Sequence, residues 1–298
     1  MKIINGIAIL LSAGLFAGAV HAQELTGTLK QIKATGMITL GARESATPFS
    51  YNLEGTQFVG YSYDIMMKVV ERIKTELKSP NLQFKVMPIT AQNRIALVQN
   101  GTIDLECSST TNTEERQKQV SFSDSFFMIG TRLLTAKDSG IKDFTDLKGK
   151  NVVTTAGTTS ERLLNKLNDE KNLGMNIIAA KENGEAFLSM ESGRAVAFMM
   201  DDAILYGERA KSKSADKWIV TGTPQSREVY GCMMRKGDAQ LKKLVDGVVA
   251  DLTKSGQIIP IYKKWFESPI PPRSLTLNFP MSDDLKHLYA NPSDSAIQ

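Results

Sequence analysis

Residues 60–77 read GYSYDIMMKVVERIKTEL, and residues 82–87 read LQFKVM. In the first stretch apolar residues recur every four positions, at Ile65, Val69, Ile73 and Leu77. This spacing is typical of a helix that packs one face on a sheet, and Ser79-Pro80 ends it because proline has no backbone N–H to donate. The second stretch predicts a strand. A helix that leads directly into a strand indicates an α/β fold.

The alternation of helices and strands continues on both sides of this pair. Further strands are predicted at residues 37–40, 102–107, 152–154, 175–178 and 195–200. Further helices are predicted around Leu29 and Ile32, at residues 91–100, 160–168 and 185–192, near Ala203 and at residues 241–252. The alternation predicts parallel sheets with helical crossovers, and 298 residues at about 150 per domain predict two lobes. In such folds ligands bind at the carboxyl ends of the strands.

The N-terminus has the pattern of a secretory signal peptide. Met1-Lys2 is positively charged, residues 3–16 are mostly apolar, and small residues precede a cleavage point after Ala22. A buried N-terminal helix is the alternative. We expect residues 1–22 to be removed and the protein to be exported, without a lipid anchor because no cysteine follows Ala22.

Composition excludes several classes of function. The formal charge is +4, from 36 basic and 32 acidic residues, which is too small a bias to predict a nucleic acid partner. Two histidines and two cysteines leave little material for a zinc cluster or for Cys/His catalysis. No nucleotide-binding, metalloprotease or serine-hydrolase motif is present. We therefore expect no cofactor, no metal site and no catalytic residue: the chain is not predicted to be an enzyme.

The cysteines are Cys107 and Cys232. An even pair in an exported protein favours a disulfide, and two buried thiols are the alternative.

Anion-binding side chains follow the predicted strands or begin the helices. They are Arg43, Arg94, the run with Ser109, Thr111 and Arg116, and the pair Thr158 and Thr159. Free N–H groups at a helix N-terminus attract a carboxylate, and a guanidinium matches two carboxylate oxygens at once. Each residue alone also has an ordinary explanation as a helix cap or a surface ion pair. Asp201 adds a carboxylate that can meet an ammonium or cap the helix near Ala203.

Several motifs together resemble family 3 of the bacterial solute-binding proteins. They include Arg43-Glu44-Ser45, Gly60-Tyr61-Ser62-Tyr63-Asp64, Gln92-Asn93-Arg94, Ser109-Thr110-Thr111-Asn112, Gly157-Thr158-Thr159-Ser160, Met199-Met200-Asp201-Asp202 and Tyr230-Gly231-Cys232. Within that family the chain is similar to the periplasmic glutamate/aspartate-binding proteins of ABC importers. Ser62 stands where an acidic residue is usual.

The resemblance implies a type II two-lobed clamp, with mixed, mostly parallel sheets, helices on both faces and two crossovers. The first lobe would comprise residues 23–133 and 226–298, and the second lobe residues 134–225. The clamp would capture glutamate or aspartate in the periplasm and deliver it to a membrane ABC permease, as a monomer that binds no nucleic acid.

The resemblance also implies roles for individual residues. Ser109, Thr111, Arg116 and Thr159 would hold the ligand α-carboxylate, with Thr158 beside them, and Asp201 would hold the ammonium. Arg43 and Arg94 would face the side-chain carboxylate. Two positions depart from the family: Ala91 replaces a serine and Asn183 replaces a histidine, both at the side-chain end of the ligand. The alternatives are a binding protein for another amino acid and an exported enzyme on the same fold, similar to cyclohexadienyl dehydratase.

Overall fold

The computed structural model describes residues 24–53, 55, 57–272 and 275–296. The predicted signal peptide, residues 1–22, lies outside the described residues. Within the described part, no helix is long and apolar enough to cross a membrane.

The strands and helices alternate along most of the chain. The strands are β1 Met37–Arg43, β2 Ser45–Ala46, β3 Ser50–Leu53, β4 Gln57–Val59, β5 Gln83–Ile89, β6 Leu105–Glu106, β7 Val120–Phe122, β8 Phe127–Ile129, β9 Thr131–Ala136, β10 Asn151–Thr155, β11 Asn176–Ala180, β12 Ala197–Asp201, β13 Trp218–Thr221, β14 Glu228–Tyr230 and β15 Met233–Arg235. The α-helices are α1 Gly27–Thr35, α2 Tyr61–Glu76, α3 Arg94–Gln99, α4 Glu114–Gln117, α5 Thr159–Glu170, α6 Asn183–Glu191, α7 Asp202–Lys211, α8 Ala239–Lys254, α9 Ile258–Tyr262 and α10 Asp283–Ala290. Short 3-10 helices cover Phe144–Leu147 and Ala215–Lys217, and a π-helical turn covers Lys263–Glu267.

Two mixed sheets, each of five described strands, form the two lobes. The first has the order β5-β1-β6-β15-β7, in which β1 runs parallel to β5 and β6 while β15 runs antiparallel to β6 and β7. The second has the order β11-β10-β12-β9-β13, in which β10 runs parallel to β11 and β12 while β9 runs antiparallel to β12 and β13. The parallel half of each sheet is the half that the sequence pattern predicts.

Two adjacent strands connect the lobes. The chain leaves the first sheet after β7, passes through β8 into β9, and returns from β13 through β14 into β15. β8 and β14 pair with each other in antiparallel register, with Ile129 opposite Glu228. The two predicted crossovers are therefore present side by side. The predicted lobe boundaries, at 133/134 and 225/226, stay a prediction.

The core of the first lobe surrounds α2 and reaches the crossovers. Ile65, Val69 and Ile73 are fully buried, as their four-residue spacing predicts. A cluster of aromatic rings lies between α2, α9 and the strands β8 and β14: Phe49, Tyr61, Phe127, Tyr230, Tyr262 and Phe266. Rings of this kind contribute both apolar burial and specific edge-to-face contacts, so the cluster fixes the crossovers on the first lobe.

The disulfide prediction is confirmed: Cys107 is bonded to Cys232. Cys107 directly follows the two residues of β6, and Cys232 lies between β14 and β15. The bond therefore joins the start of the loop that carries Ser109 and Thr111 to the strand that returns from the second lobe.

Two segments differ from the sequence-based expectation. The strand expected at 102–107 is reduced to β6, because Asp104 bonds to the backbone of Thr39: the Thr39 amide donates to its carboxylate at 2.9 Å. The polar segment around His287 forms α10, which buries Leu285, Leu288 and Tyr289 while His287 stays exposed. No helix was predicted there.

Candidate functional site

The predicted ligand-binding residues come from the facing ends of the two sheets. Arg43 ends β1 and Ser109 follows β6 in the first lobe, while Thr159 follows β10 and Asp201 ends β12 in the second. Because the parallel strands of each sheet end at the same edge, their loops meet between the lobes.

Arg116 connects the lobes through two backbone carbonyls. Its Nη1 donates to the Thr111 carbonyl at 2.9 Å, and its Nη2 donates to the Gly157 carbonyl at 3.3 Å. At this point the loop of Gly157 in the second lobe approaches Gln92 of the first lobe. A Cβ atom on residue 157 would lie 2.8 Å from Gln92, and its φ of +77° also favours glycine. Burial, together with the positive charge of Arg162, lowers the pKa of Arg116 to about 10, so the side chain stays charged at neutral pH.

The carboxylate of Glu228 joins both lobes to a crossover strand. Thr111 from the first lobe and Thr159 from the second each donate a hydroxyl hydrogen to its Oε2 at 2.7 Å. Ser226 donates to its Oε1 at 2.8 Å. Sequence reasoning missed Glu228, because an acidic residue in a polar stretch before a strand has no distinctive pattern.

Asp201 is a buried carboxylate with two hydroxyl donors. Ser160 donates to its Oδ1 at 3.0 Å, and the Tyr230 hydroxyl donates to its Oδ2. The side chain is 2% exposed. Burial and the nearby carboxylate of Glu228 raise the pKa of Asp201 to about 7, and the two hydroxyl donors oppose that rise.

Arg94 and Ser109 lie together in the first lobe. Nη1 of Arg94 donates to the Ser109 carbonyl at 3.1 Å and to the hydroxyl of Thr110 at 2.5 Å. Thr110 in turn donates to Glu106 at 2.9 Å, a buried carboxylate that sequence reasoning also missed. The Nε of Arg94 and the hydroxyl of Ser109 are buried without a hydrogen-bond partner among the described residues.

Arg94 lies close enough to the other two arginines for their charges to interact. Burial lowers the pKa of Arg94 to about 9, with further lowering by the charges of Arg116 and Arg43. Three guanidiniums in one buried region favour an anionic ligand, because the like charges need compensation.

Arg43 and Asn183 each contact a residue of the other lobe. Nη2 of Arg43 forms an ion pair with Glu182 at 2.7 Å, and its Nε is buried without a partner among the described residues. Asn183 begins α6, accepts from the Thr155 hydroxyl at 2.6 Å and donates to the Ser45 carbonyl at 2.7 Å. Its amide is therefore used in contacts within the chain. Ala91 is buried.

Thr158 is the N-cap of α5. Its hydroxyl accepts from the Glu161 amide at 3.1 Å and donates to the Thr155 carbonyl at 2.6 Å. Both functions of the hydroxyl are used locally, so the contact that Thr158 offers a ligand is its backbone. Its predicted place in the ligand site stays a prediction.

The arrangement suits a small zwitterion with an additional acidic group. Unpartnered donors on Arg43, Arg94, Arg116 and Ser109 can receive carboxylates, and Asp201 can receive an ammonium. No group of His, Cys, Asp and Glu among the described residues could hold a metal ion. The geometry is that of a binding site with several fixed hydrogen-bond donors.

Comparison with known proteins identifies the family. Residues 38–268 match the family described as bacterial extracellular solute-binding proteins, family 3. A relative from Pseudomonas aeruginosa, named L-glutamate/L-aspartate-binding protein, is 61% identical over 287 residues, which cover 96% of this chain and 95% of the relative. A Salmonella typhimurium relative, named glutamate/aspartate import solute-binding protein, is 54% identical over 292 residues, 97% of each chain.

A solved structure has the same architecture. A mutant of ArgBP from T. maritima superposes with a TM-score of 0.71 at 29% identity, over 80% of this chain and 99% of that one. The relatives are named as binding proteins and not as enzymes. The chain therefore belongs to family 3 of the bacterial extracellular solute-binding proteins.

Proposed function

We propose that the protein captures L-glutamate or L-aspartate between its two lobes and delivers it to the permease of an ABC importer. The observation that carries this proposal is the group of three buried arginines opposite one buried aspartate, where the sheets of the two lobes face each other. An acidic amino acid has two carboxylates and one ammonium, which is the complement of this group. The names of the two relatives agree with it.

In the proposed orientation the α-carboxylate and the ammonium of the ligand meet residues of both lobes, and its side chain meets residues of the first. Arg116, Ser109 and the backbone of Thr111 and Thr159 hold the α-carboxylate, and Asp201 holds the ammonium. Arg43 and Arg94 face the side-chain carboxylate. Because the donors come from both lobes, the ligand stabilises the closed arrangement, and the closed form is the one a permease would recognise.

The proposal includes the cellular location and the assembly state. The family is extracellular, which supports an exported protein. We propose that the signal peptide is cleaved after Ala22, that the mature protein lies in the periplasm without a lipid anchor, and that it acts as a monomer.

Calorimetric titration of the purified mature protein tests the ligand class. We expect L-glutamate and L-aspartate to bind, and L-glutamine to bind at least about 100-fold more weakly, because its side-chain amide offers Arg43 and Arg94 no carboxylate and so forms no charge-assisted hydrogen bonds with them. Asp201→Asn should weaken glutamate binding by about 30-fold or more, because the ammonium loses its counter-ion. Equal affinity for glutamine and glutamate would contradict the proposal.

A further inference from the structure

Arg43 already has an anionic partner within the chain. Its guanidinium lies in the first lobe at the end of β1, and the carboxylate of Glu182, in the second lobe, approaches Nη2 to 2.7 Å. The Arg43 side chain is 1% exposed and that of Glu182 is 14% exposed. A buried guanidinium without a counter-ion is costly, so Glu182 neutralises Arg43 when no other anion is present.

The position of Glu182 is set by the backbone that follows it. Glu182 is the N-cap residue of α6, but its side chain makes no capping hydrogen bond and is directed to Arg43. The next two residues attach α6 to Ser45: Asn183 donates to its carbonyl at 2.7 Å and the Gly184 amide donates to its hydroxyl at 2.9 Å. These bonds hold the start of α6 against the first lobe, independently of the ion pair.

The contacts of Arg43 leave one N–H group of its guanidinium without a hydrogen-bond partner among the described residues. Glu182 contacts Nη2, while Nε is buried without a partner in the described part of the chain. A carboxylate that binds a guanidinium in the bidentate manner needs two N–H groups on one edge. A ligand carboxylate that takes the edge with Nε and Nη2 must therefore meet the carboxylate of Glu182, and two like charges at this depth repel strongly.

We propose that Glu182 determines how strongly the protein discriminates between acidic and neutral side chains, because it competes with the side-chain carboxylate of the ligand for Arg43. The competition rests on the proposed function. When the ligand binds, Glu182 is the residue that moves away, since its side chain is more exposed than that of Arg43. An acidic ligand must displace Glu182 from Arg43, which reduces its net free energy of binding. An amide ligand leaves Glu182 in place.

The test is calorimetry with L-glutamate and L-glutamine on wild type, Glu182→Gln and Glu182→Ala. Both variants should bind glutamate about fivefold or more tightly than wild type, while glutamine affinity changes less than about twofold. The matched control is Glu71→Gln, which removes an equal charge from an exposed ion pair with Lys74 on α2. It should leave both affinities unchanged.

Three outcomes separate the explanations. Unchanged or weaker glutamate binding in both variants overturns this inference, because the removal of a competing carboxylate must strengthen binding. An equal gain for glutamate and glutamine also overturns it, because the effect would not depend on ligand charge. If wild type binds neither glutamate nor aspartate, the proposed function itself is wrong. Circular dichroism confirms that each variant is folded.

Discussion

At the scale of single residues, Asp201 combines two properties that conflict in the ligand-free protein. It is buried beside Glu228, which raises its pKa to about 7, and it is the residue proposed to meet the ligand ammonium. The negative charge of Glu228 opposes the ionisation of Asp201 in this buried site, and the ammonium of the ligand would relieve that repulsion.

This conflict predicts a pH-dependent stability. The unfolded chain releases the Asp201 proton near pH 4, whereas the folded chain retains it to about pH 7. The contribution of protonated Asp201 to the free energy of unfolding is therefore complete below pH 4 and is lost as the pH rises towards 7. Ligand-free Asp201→Asn should be about 1–3 kcal/mol more stable than wild type at pH 8 and nearly equal to it at pH 4.

Urea unfolding at both pH values measures the difference. The exposed Asp138 provides the control, since Asp138→Asn should change stability little at either pH. A loss of stability in Asp201→Asn at pH 8 would show that its hydrogen bonds with Ser160 and Tyr230 outweigh the cost of burial.

The residues of the candidate site differ in how far sequence could reveal them. Arg43, Thr159 and Asp201 stand at strand ends or helix starts, where a local pattern predicts their position. Glu182 and Glu228 have no such pattern, because each gains its role from a partner that is distant in sequence. Glu106 was missed because its place in a short buried strand does not reveal the hydrogen bond from Thr110. Asn183 is predicted to face the ligand, and that stays a prediction: the structure shows its amide bonded to Thr155 and Ser45.

At the scale of elements, periodic segments were predictable and short ones were not. The helix α2 and the strands β1, β10 and β12 follow from their own apolar spacing. The crossover strand β8 does not, because its three residues are stabilised by pairing with β14, about 100 residues away in sequence.

The N-cap of α5 separates a structural role from a ligand role. Thr158→Ala removes the hydrogen bonds with Glu161 and Thr155 and should lower stability by about 1 kcal/mol. We expect glutamate affinity to change less than about threefold, because the hydroxyl is used within the chain. Chemical denaturation and calorimetry measure the two effects.

Thr158→Ser is the matched control, since serine caps equally well and should restore stability. A large loss of affinity in Thr158→Ala with unchanged stability would show that the hydroxyl contacts the ligand directly.

At the scale of the whole molecule, the two lobes are joined by neighbouring strands. β8 and β14 lie side by side, and the aromatic cluster attaches both to the first lobe. Two neighbouring strands that connect two lobes have the geometry of a hinge, and we expect the cleft to open by rotation about this pair. In the structure the lobes contact each other through Arg43–Glu182, Arg116–Gly157 and the threonines bound to Glu228.

The disulfide should contribute to the stability of the molecule. Cys107 and Cys232 are 125 residues apart, so their bond constrains a long segment of the unfolded chain that includes the second lobe. Replacing both with alanine should lower the free energy of unfolding by about 2–4 kcal/mol.

Urea unfolding of the double variant measures this loss, with reduced wild type as the control. Equal midpoints for oxidised wild type, reduced wild type and the variant would mean that the bond adds no stability.

A crystal structure with L-glutamate bound tests the central claim most directly. We predict the ligand between the two sheets, with its α-carboxylate on Arg116, its ammonium on Asp201 and its side-chain carboxylate on Arg43 and Arg94. A glutamate bound in the reverse orientation, or outside the space between the lobes, would contradict the proposed site.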